Sequence, residues 1–355
     1  SEVNLLEFKV FNGNKYEAYT LPPQITLGSL ATTNQGILDP DFSQTKLIKE
    51  GDTASLIFST SDRIKPSSEL FVAVGKKGTI ISSQDGNKWS ERISNTSNGL
   101  GGVTYGSGKF VAVGYPGTIL TSPDGITWTS RNSGTIEGLY AITFGKGIFV
   151  AVGTAGTILT SPDGISWTPS SSGTTTAIYK IIYGNQNFVA VGLSGLILTS
   201  PNGISWTTQT SGTTSNLQGI AYGNNKYVAS GASGTILTSF DGISWNQGSS
   251  GTTNHLINVD YLNDKFFIVG YSGTILSSTD GNSWTSRTSG TSNVLRMTSF
   301  VDGYYVSVGN SGEVVTSTDG ITWTSKASGV SATFEGITSN VSQTSLGIFS
   351  DNGTE

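Results

Sequence analysis

The stretch TSPDGITW, residues 121–128, recurs in six further copies that keep an Asp-Gly or Asn-Gly pair and a final tryptophan. The tryptophans follow one another at intervals of 39 residues, with no insertion or deletion between them: Trp89, Trp128, Trp167, Trp206, Trp245, Trp284 and Trp323. Seven such units cover residues 70–342. A repeat this regular predicts an architecture of stacked identical supersecondary units.

Each unit has the pattern of four short strands. In the third unit these are LYAITFG (139–145), IFVAVG (148–153), GTILTS (156–161) and ISWTPS (165–170), rich in β-branched and aromatic residues and separated by turn residues. One such sheet cannot bury both of its faces alone, whereas radially stacked sheets cover one another. The sequence therefore predicts an all-β fold, a seven-bladed β-propeller. A parallel β-helix is the competing solenoid, but its coils are usually shorter than this repeat.

The turn before each tryptophan is the strongest local signature. Its aspartate can accept hydrogen bonds across its own turn, its glycine can adopt a positive φ, and its tryptophan can fold back as an apolar plug. The turn resembles that of Asp-box (bacterial neuraminidase repeat) propellers, with one residue fewer between Asp and Gly. The resemblance implies the fold and little about function. Six copies carry the aspartate, for which we predict a structural role: Asp85, Asp124, Asp163, Asp241, Asp280 and Asp319.

The two ends of the repeat indicate how the ring closes. The first unit begins with its second strand, LFVAVG at 70–75, and lacks an in-register first strand, while FEGITS at 334–339 is a spare first strand at the C-terminal end. We predict that 334–339 closes the first blade within a propeller domain of residues 54–355. An alternative pairs 54–66 with 334–355 as an eighth blade.

Residues 1–53 lie outside the 39-residue repeat and contain no tryptophan. The sequence predicts a hairpin about Asn12-Gly13, a two-residue turn signal, followed by an extended arm. We interpret this region as an attachment arm that joins the ring to a larger assembly or mediates homo-oligomerisation. A disordered tail is the alternative.

Catalysis is not expected. Of the five arginines, Arg63, Arg92, Arg131, Arg287 and Arg296, three share one outer-strand position, so the arginine cluster of a sialidase cannot form. The other acidic residues occupy different repeat positions and nominate no carboxylate pair: among them are Glu137, Asp260, Asp264, Asp302, Glu313 and Glu335. The single histidine, His255, has the context of a loop residue. No cofactor is predicted, and no metal site, since no cluster of His, Asp or Glu has metal-ligand spacing. Cysteine chemistry is excluded because the chain has no cysteine.

A basic rim is the first place where the seven copies differ. Three residues after each tryptophan, the copies carry Arg92, Arg131, Ser170, Gln209, Gly248, Arg287 and Lys326. In a closed ring the four basic residues fall on adjacent blades, which makes them a candidate docking surface for an acidic partner. The alternative is that charges merely protect the outer strands from edge pairing.

Aromatic residues end the first strands, at Tyr105, Phe144, Tyr183, Tyr222, Tyr261 and Phe300. Their regularity favours packing between blades. The alternative is a propeller lectin, in which Tyr105, Tyr183 and Tyr222 would lie under sugars and the SGTT-type loops would supply hydroxyls.

Charge and N-terminus bear on partners and location. A net charge of −5 argues against nucleic acid, and the apolar runs are too short for a membrane span. The N-terminal residues lack the pattern of a signal peptide, so we expect synthesis in the cytoplasm.

Taken together, the repeats and the arm look most like a bacteriophage virion protein, a tail fibre or capsid decoration. This hypothesis implies location in the virion, or an extracellular location as the alternative. It also implies binding to other virion proteins through residues 1–53 and to host-surface glycans or a neighbouring subunit through the ring. A glycan-binding lectin is one alternative. A cellular assembly-factor scaffold is another, because the repeats also resemble a seven-bladed photosystem II assembly factor, although its usual export signal is missing here.

Overall fold

The computed structural model describes residues 7–11, 16–20, 70–301 and 303–340. The chain divides into two compact units, one of Ser1–Ser67 with Thr344–Glu355 and one of Ser68–Gln343. In the first unit the described residues form an antiparallel pair, β1 (Glu7–Phe11) and β2 (Tyr16–Thr20). Phe11 pairs with Tyr16, and residues 12–15, which include the predicted Asn12-Gly13 turn, lie outside the described residues. The predicted arm, the 53/54 boundary and residues 54–66 lie outside the described residues and stay predictions.

The second unit is a ring of seven four-stranded antiparallel sheets, which confirms the seven-bladed propeller. The inner strands of blades 1 to 7 are β30 (Phe334–Ser339), β6 (Leu100–Gly106), β10 (Leu139–Gly145), β14 (Ile178–Gly184), β18 (Leu217–Gly223), β22 (Leu256–Leu262) and β26 (Leu295–Val301). The second strands are β3 (Phe71–Gly75), β7 (Lys109–Gly114), β11 (Ile148–Gly153), β15 (Asn187–Gly192), β19 (Lys226–Gly231), β23 (Lys265–Gly270) and β27 (Tyr304–Gly309).

The outer half of each blade is shorter. The third strands are β4 (Ile80–Ser83), β8 (Thr118–Ser122), β12 (Ile158–Ser161), β16 (Ile197–Ser200), β20 (Thr235–Ser239), β24 (Ile275–Ser278) and β28 (Glu313–Ser317). The fourth strands are β5 (Ser90–Arg92), β9 (Thr129–Arg131), β13 (Thr168–Ser170), β17 (Thr207–Gln209), β21 (Asn246–Ser249), β25 (Thr285–Arg287) and β29 (Thr324–Ala327). In blade 3 the fourth strand begins three residues later than predicted, because the turn continues to the tryptophan. Single 3₁₀ turns precede six of the third strands: Lys76–Gly78, Thr154–Gly156, Leu193–Gly195, Ala232–Gly234, Tyr271–Gly273 and Asn310–Gly312.

The ring closes as the sequence predicts. Strand β30 pairs antiparallel with β3, placing the C-terminal segment in the first blade. Asn340 continues this clasp, since its Oδ1 accepts a 2.7 Å hydrogen bond from the Leu70 amide. An eighth blade containing 334–339 is excluded, because that segment is already the inner strand of blade 1.

Apolar clusters between neighbouring blades hold the ring together. In one of them, Val111 and Val113 of blade 2 pack with Phe149 and Leu159 of blade 3. The cluster at the closure joins Phe71 of blade 1 and Val308 of blade 7 through Phe334 and Ile337 of the clasp. Burial of these side chains is the main force that stabilises the ring, at about 25 cal/mol per Å² of apolar area.

A register shift in every blade, and a glycine at the end of the inner strand in blades 2 to 5, position side chains at the central channel enclosed by the inner strands. The inner strand has a register shift near its start, as between Leu139 and Ala141, which leaves Tyr140 unpaired. Such a bulge changes the direction in which the side chain of the extra residue points. At the other end, Gly145 lies directly under the Tyr183 ring of the next blade, and a Cβ there would overlap that ring. We call the face where the inner strands begin the proximal face and the face where they end the distal face.

Candidate functional site

The signature turns use their acidic groups internally. In blade 2, Asp124 Oδ1 accepts hydrogen bonds from the amides of Ile126 and Thr127 at 2.9 and 2.8 Å and from the Ser122 hydroxyl at 2.9 Å. Gly125 has a φ of +70°. The backbone hydrogen bonds hold the pKa of Asp124 below its usual value. The arrangement stabilises a turn, as predicted from the sequence, and leaves these carboxylates little freedom for chemistry.

Because of the hydrogen bonds in these turns, we expect the free energy of unfolding to depend on pH in the acid range. The backbone amides of Ser244 and Ile243 lower the pKa of Asp241 to about 2. A lowered folded-state pKa stabilises the protein above the unfolded pKa of about 3.9, and this contribution is lost as the pH falls towards 2. We therefore expect the urea midpoint to fall between about pH 4 and pH 2.

The fourth blade offers a natural control for this pH dependence. There Asn202 accepts the same two backbone bonds through its amide oxygen, both at 2.9 Å. Asp241→Asn should keep the fold at neutral pH and reduce the slope of stability against pH in the acid range. An unchanged slope would mean that Asp241 does not contribute.

The outer strands carry the predicted basic rim. Arg92, Arg131 and Arg287 each donate from Nε to the hydroxyl of the residue ten positions earlier, in the third strand of the same blade. The distances are 2.7 Å to Ser82, 2.9 Å to Thr121 and 2.8 Å to Ser277. Lys326 occupies the equivalent position in blade 7. Closure through β30 makes blades 6, 7, 1 and 2 contiguous, so the four basic residues lie on adjacent blades.

The aromatic residues that end the inner strands pack within and between blades. Tyr183 meets Phe188 of its own blade with ring centroids 4.8 Å apart, and it covers Gly145 of the preceding blade. Tyr105 and Tyr222 make equivalent contacts with Phe110 and Tyr227. All three tyrosines remain half-buried and line the distal end of the channel.

The parts of the predicted sugar pocket do not come together. The SGTT loops precede the inner strands at the proximal face, whereas the tyrosines end those strands at the distal face. Seven residues of strand span about 23 Å. The loop hydroxyls are also engaged locally: Ser172 Oγ donates to the Thr174 carbonyl at 3.1 Å, and Thr174 Oγ1 accepts from the Thr176 amide at 3.0 Å.

The proximal mouth of the channel is lined by the residues at the bulges. Arg296 and Glu335, from adjacent blades, form an ion pair of 2.8 Å. Arg296 also donates to Asn310 at 2.7 Å. Across the mouth, the rings of Tyr140 and Tyr179 lie 5.7 Å apart. Burial raises the pKa of Glu335, while the charge of Arg296 opposes that rise.

Halfway along the channel, a lysine reaches across the ring. Lys180 of blade 4 places its Nζ 3.5 Å from Met297 Sδ of blade 7. Four of the other residues at this repeat position are small, which leaves room for the crossing: Gly102, Ala141, Gly219 and Gly336. Burial lowers the pKa of Lys180, and the negative charge of Asp260 opposes that change.

Asp260 lies one level closer to the distal face. Its Oδ2 accepts hydrogen bonds from the Asn258 side chain and from the Thr298 amide, the latter at 3.1 Å. Burial raises the pKa of Asp260, opposed mainly by Lys180. The sequence alone suggested no partner for Asp260. A comparison of the seven copies at the repeat position of Lys180 would have singled out this lysine, because the other six residues there are neutral.

The described candidates among the remaining residues lie apart from the channel. His255 is exposed in the loop before β22, with its ring 5.2 Å from that of Tyr271. Asp302 and Arg63 fall outside the described residues. Within the described ranges, no three His, Asp or Glu side chains are grouped so as to hold a metal ion. None of the described helices has the length and apolar character to cross a membrane.

Comparison with known proteins finds similar folds but assigns the chain to no family. No protein-family model matches the chain, and no curated protein matches it. A solved structure of YCF48 bound to a D1 peptide is similar, with a TM-score of 0.57 and 18% identity over 71% of this chain and 86% of that one. YCF48 from Cyanidioschyzon merolae has a TM-score of 0.52 and 17% identity, over 64% of this chain and 84% of its own. The computationally designed protein Ika8 has a TM-score of 0.55 and 12% identity, over 77% and 91%.

These comparisons correct the predicted function. The hypothesis of a bacteriophage virion protein, with a location in the virion, is wrong, because both of these natural propellers are YCF48 structures. The Asp-box family, tail-fibre and carbohydrate-binding assignments gain no support either. The prediction failed because it rested on resemblance and composition, neither of which is specific for a class of protein.

Proposed function

We propose that this protein is a non-enzymatic cellular scaffold that binds a segment of a partner protein, and that the basic rim of blades 6, 7, 1 and 2 is its docking surface. The peptide bound to a YCF48 propeller supports a protein partner for this fold. The charge of the rim selects an acidic segment.

The single observation that carries the docking surface is the way the arginines are held. Each Nε is fixed by a hydroxyl on the neighbouring strand, at 2.7 to 2.9 Å. The terminal nitrogens of Arg92, Arg131 and Arg287 donate to none of the described residues, so they are available to a carboxylate. A guanidinium held in place loses less conformational entropy on binding than a free one.

The uneven distribution of the basic residues among the seven blades argues against a role that only protects strand edges. All seven fourth strands are outer edges and need the same protection from pairing. Blades 3, 4 and 5 nevertheless carry Ser170, Gln209 and Gly248 at the same position. A charge that follows one side of the ring fits a partner that approaches from that side.

A non-enzymatic role agrees with the engagement of the acidic side chains. Glu313 accepts from Thr291, Asn293 and Ser325, and Glu335 is paired with Arg296. The signature aspartates are bound in their turns. Carboxylates held in this way are poorly suited to transfer protons to a substrate.

The test uses a substitution that the protein itself contains. Gln209 of blade 4 makes the equivalent bond, from Nε2 to Thr199 at 2.8 Å, without a charge. Replacing Arg92, Arg131 and Arg287 with glutamine should therefore keep the outer strands intact. Binding of a labelled Glu-Ser repeat peptide, measured by fluorescence anisotropy, should weaken about tenfold, since each exposed ion pair contributes roughly 0.5 kcal/mol.

The same binding experiment is repeated at increasing salt concentration and with a control variant. Binding should weaken steeply with salt, because the Debye length falls to about 3 Å at 1 M. The triple variant should retain the melting temperature of the wild type. Ser325→Gln, on the same outer strand as Lys326, should leave binding unchanged. Equal binding by the wild type and the triple variant would overturn the docking surface.

A further inference from the structure

The channel contains a cavity that the proposed docking function does not use. It lies between the level of Lys180 and the distal face and has a volume of about 330 Å³. The inner strands of six blades line it, with Asp260, Met297 and the four tyrosines Tyr105, Tyr183, Tyr222 and Tyr261 among the lining residues. The volume falls at the lower end of the range for small-molecule sites, about 300–1,000 Å³.

Asp260 presents one free carboxylate oxygen to this cavity. Its Oδ2 is held by Asn258 and by the backbone of Thr298. No described residue donates to its Oδ1. The hydrogen bonds to Oδ2 therefore fix the orientation of the carboxylate, while Oδ1 stays free to accept a hydrogen bond. Such a carboxylate can form a charge-assisted hydrogen bond with a cationic donor.

Two neighbouring groups reinforce the acceptor character of the site. Asn258 and Thr298 are only 2% and 3% exposed, and Asn258 Oδ1 and Thr298 Oγ1 have no hydrogen-bond partner among the described residues. Buried polar atoms are rarely left unsatisfied. An amide oxygen and a hydroxyl beside a carboxylate make this wall of the channel electronegative.

Lys180 opposes the charge of Asp260 only over a distance longer than that of an ion pair. Its Nζ contacts the thioether sulfur of Met297, a weak acceptor, and lies beyond ion-pair distance of Asp260 in the described structure. Part of the negative charge of Asp260 thus remains available on the cavity side. The tyrosines add rings that attract cations through their π faces.

We propose that this cavity binds an alkylammonium group, from a lysine side chain or from a free amine, through Asp260 Oδ1 with the surrounding tyrosines as an aromatic wall. The site is separate from the basic rim and takes ligands of opposite charge. Its existence therefore stands or falls independently of the docking function.

The experiment measures binding of n-butylammonium to the full chain by calorimetry, with n-butanol and butyrate as the neutral and anionic counterparts. We expect saturable binding of the ammonium alone. Asp260→Asn keeps the shape of the side chain and should weaken that binding at least tenfold. Glu91→Gln, an exposed acid on the outer strand of blade 1, should not change it.

A second variant distinguishes loss of binding from loss of folding. Lys180→Met introduces the residue found at the equivalent position of blade 7 and removes the internal cation. It should tighten butylammonium binding several-fold, a gain that a misfolded protein cannot show. The thermal melt of each variant reports whether the ring is intact.

A blocked peptide with one internal lysine distinguishes the two sources. Binding of both this peptide and butylammonium assigns the site to a lysine side chain, and binding of butylammonium alone assigns it to a free amine. Absence of saturable binding in both the wild type and Lys180→Met overturns the site. Undiminished binding by Asp260→Asn, or equal binding of n-butanol, also overturns it.

Discussion

Removing the clasp strand should abolish the folded ring. A chain that ends at Thr333 lacks β30, so blade 1 retains three strands and its closure to blade 7 is lost. The loss includes Phe334 and Ile337, which are 0% and 2% exposed in the cluster at the closure. We expect this protein to lack a cooperative thermal transition and to be degraded rapidly by protease.

A second truncation and a point variant separate closure from chain length. A chain that ends at Asn340 keeps the whole clasp and its bond to Leu70, so its melting temperature should stay close to that of the full chain. Phe334→Ala should reduce the free energy of unfolding by about 3–5 kcal/mol, or roughly 10 °C in melting temperature. Leu217→Ala, at the same repeat position in blade 5, should cost about 2–5 kcal/mol. A stable chain ending at Thr333 would show that the ring does not need its clasp.

Gly156→Ala should have a large effect for two reasons that a partner variant can separate. Gly156 has a φ of +70°, and a Cβ there would overlap the carbonyl oxygen of Thr174. Gly173, in the same blade, has a φ of +73° with no atom near the position of its Cβ. Gly173→Ala therefore measures the left-handed backbone alone, about 1 kcal/mol.

The steric overlap at Gly156 involves backbone, which cannot move aside as a side chain can. We expect Gly156→Ala to cost at least 2 kcal/mol more than Gly173→Ala, in line with overpacking of a rigid site. Urea unfolding of the two variants beside the wild type gives the comparison. Equal losses would show that the loop shifts to admit the methyl group.

The fold was predictable because its determinants are local and repeated. The turn around Asp124, Gly125 and Trp128 is determined by eight consecutive residues, because its hydrogen bonds join neighbours in the chain. Seven copies with the same strand pattern then leave few ways to bury the faces of their sheets. The spare strand at 334–339 revealed the closure because its register with the other first strands is visible in the sequence.

The site was less predictable. The basic rim could be placed on adjacent blades because one repeat position and a closed ring determine it. Lys180 and Met297 are 117 residues apart and meet only across the channel. Asp260 cannot be assigned to a site from the sequence, because the sequence does not show which inner-strand side chains point to the axis after a bulge.

The sequence by itself determined the 39-residue blade and the repeat position of the basic residues on the rim, and it favoured seven blades closed by the clasp over eight, a choice that the pairing of β30 with β3 decided. These follow from hydrogen bonds within a turn and from counting repeats. The tertiary structure alone decided that the loop hydroxyls and the tyrosines lie at opposite faces, and that Lys180, Asp260 and Met297 share one channel. The physical reason is that a ring brings residues from different blades together at its axis, where bulges and the size of neighbouring side chains decide which of them meet.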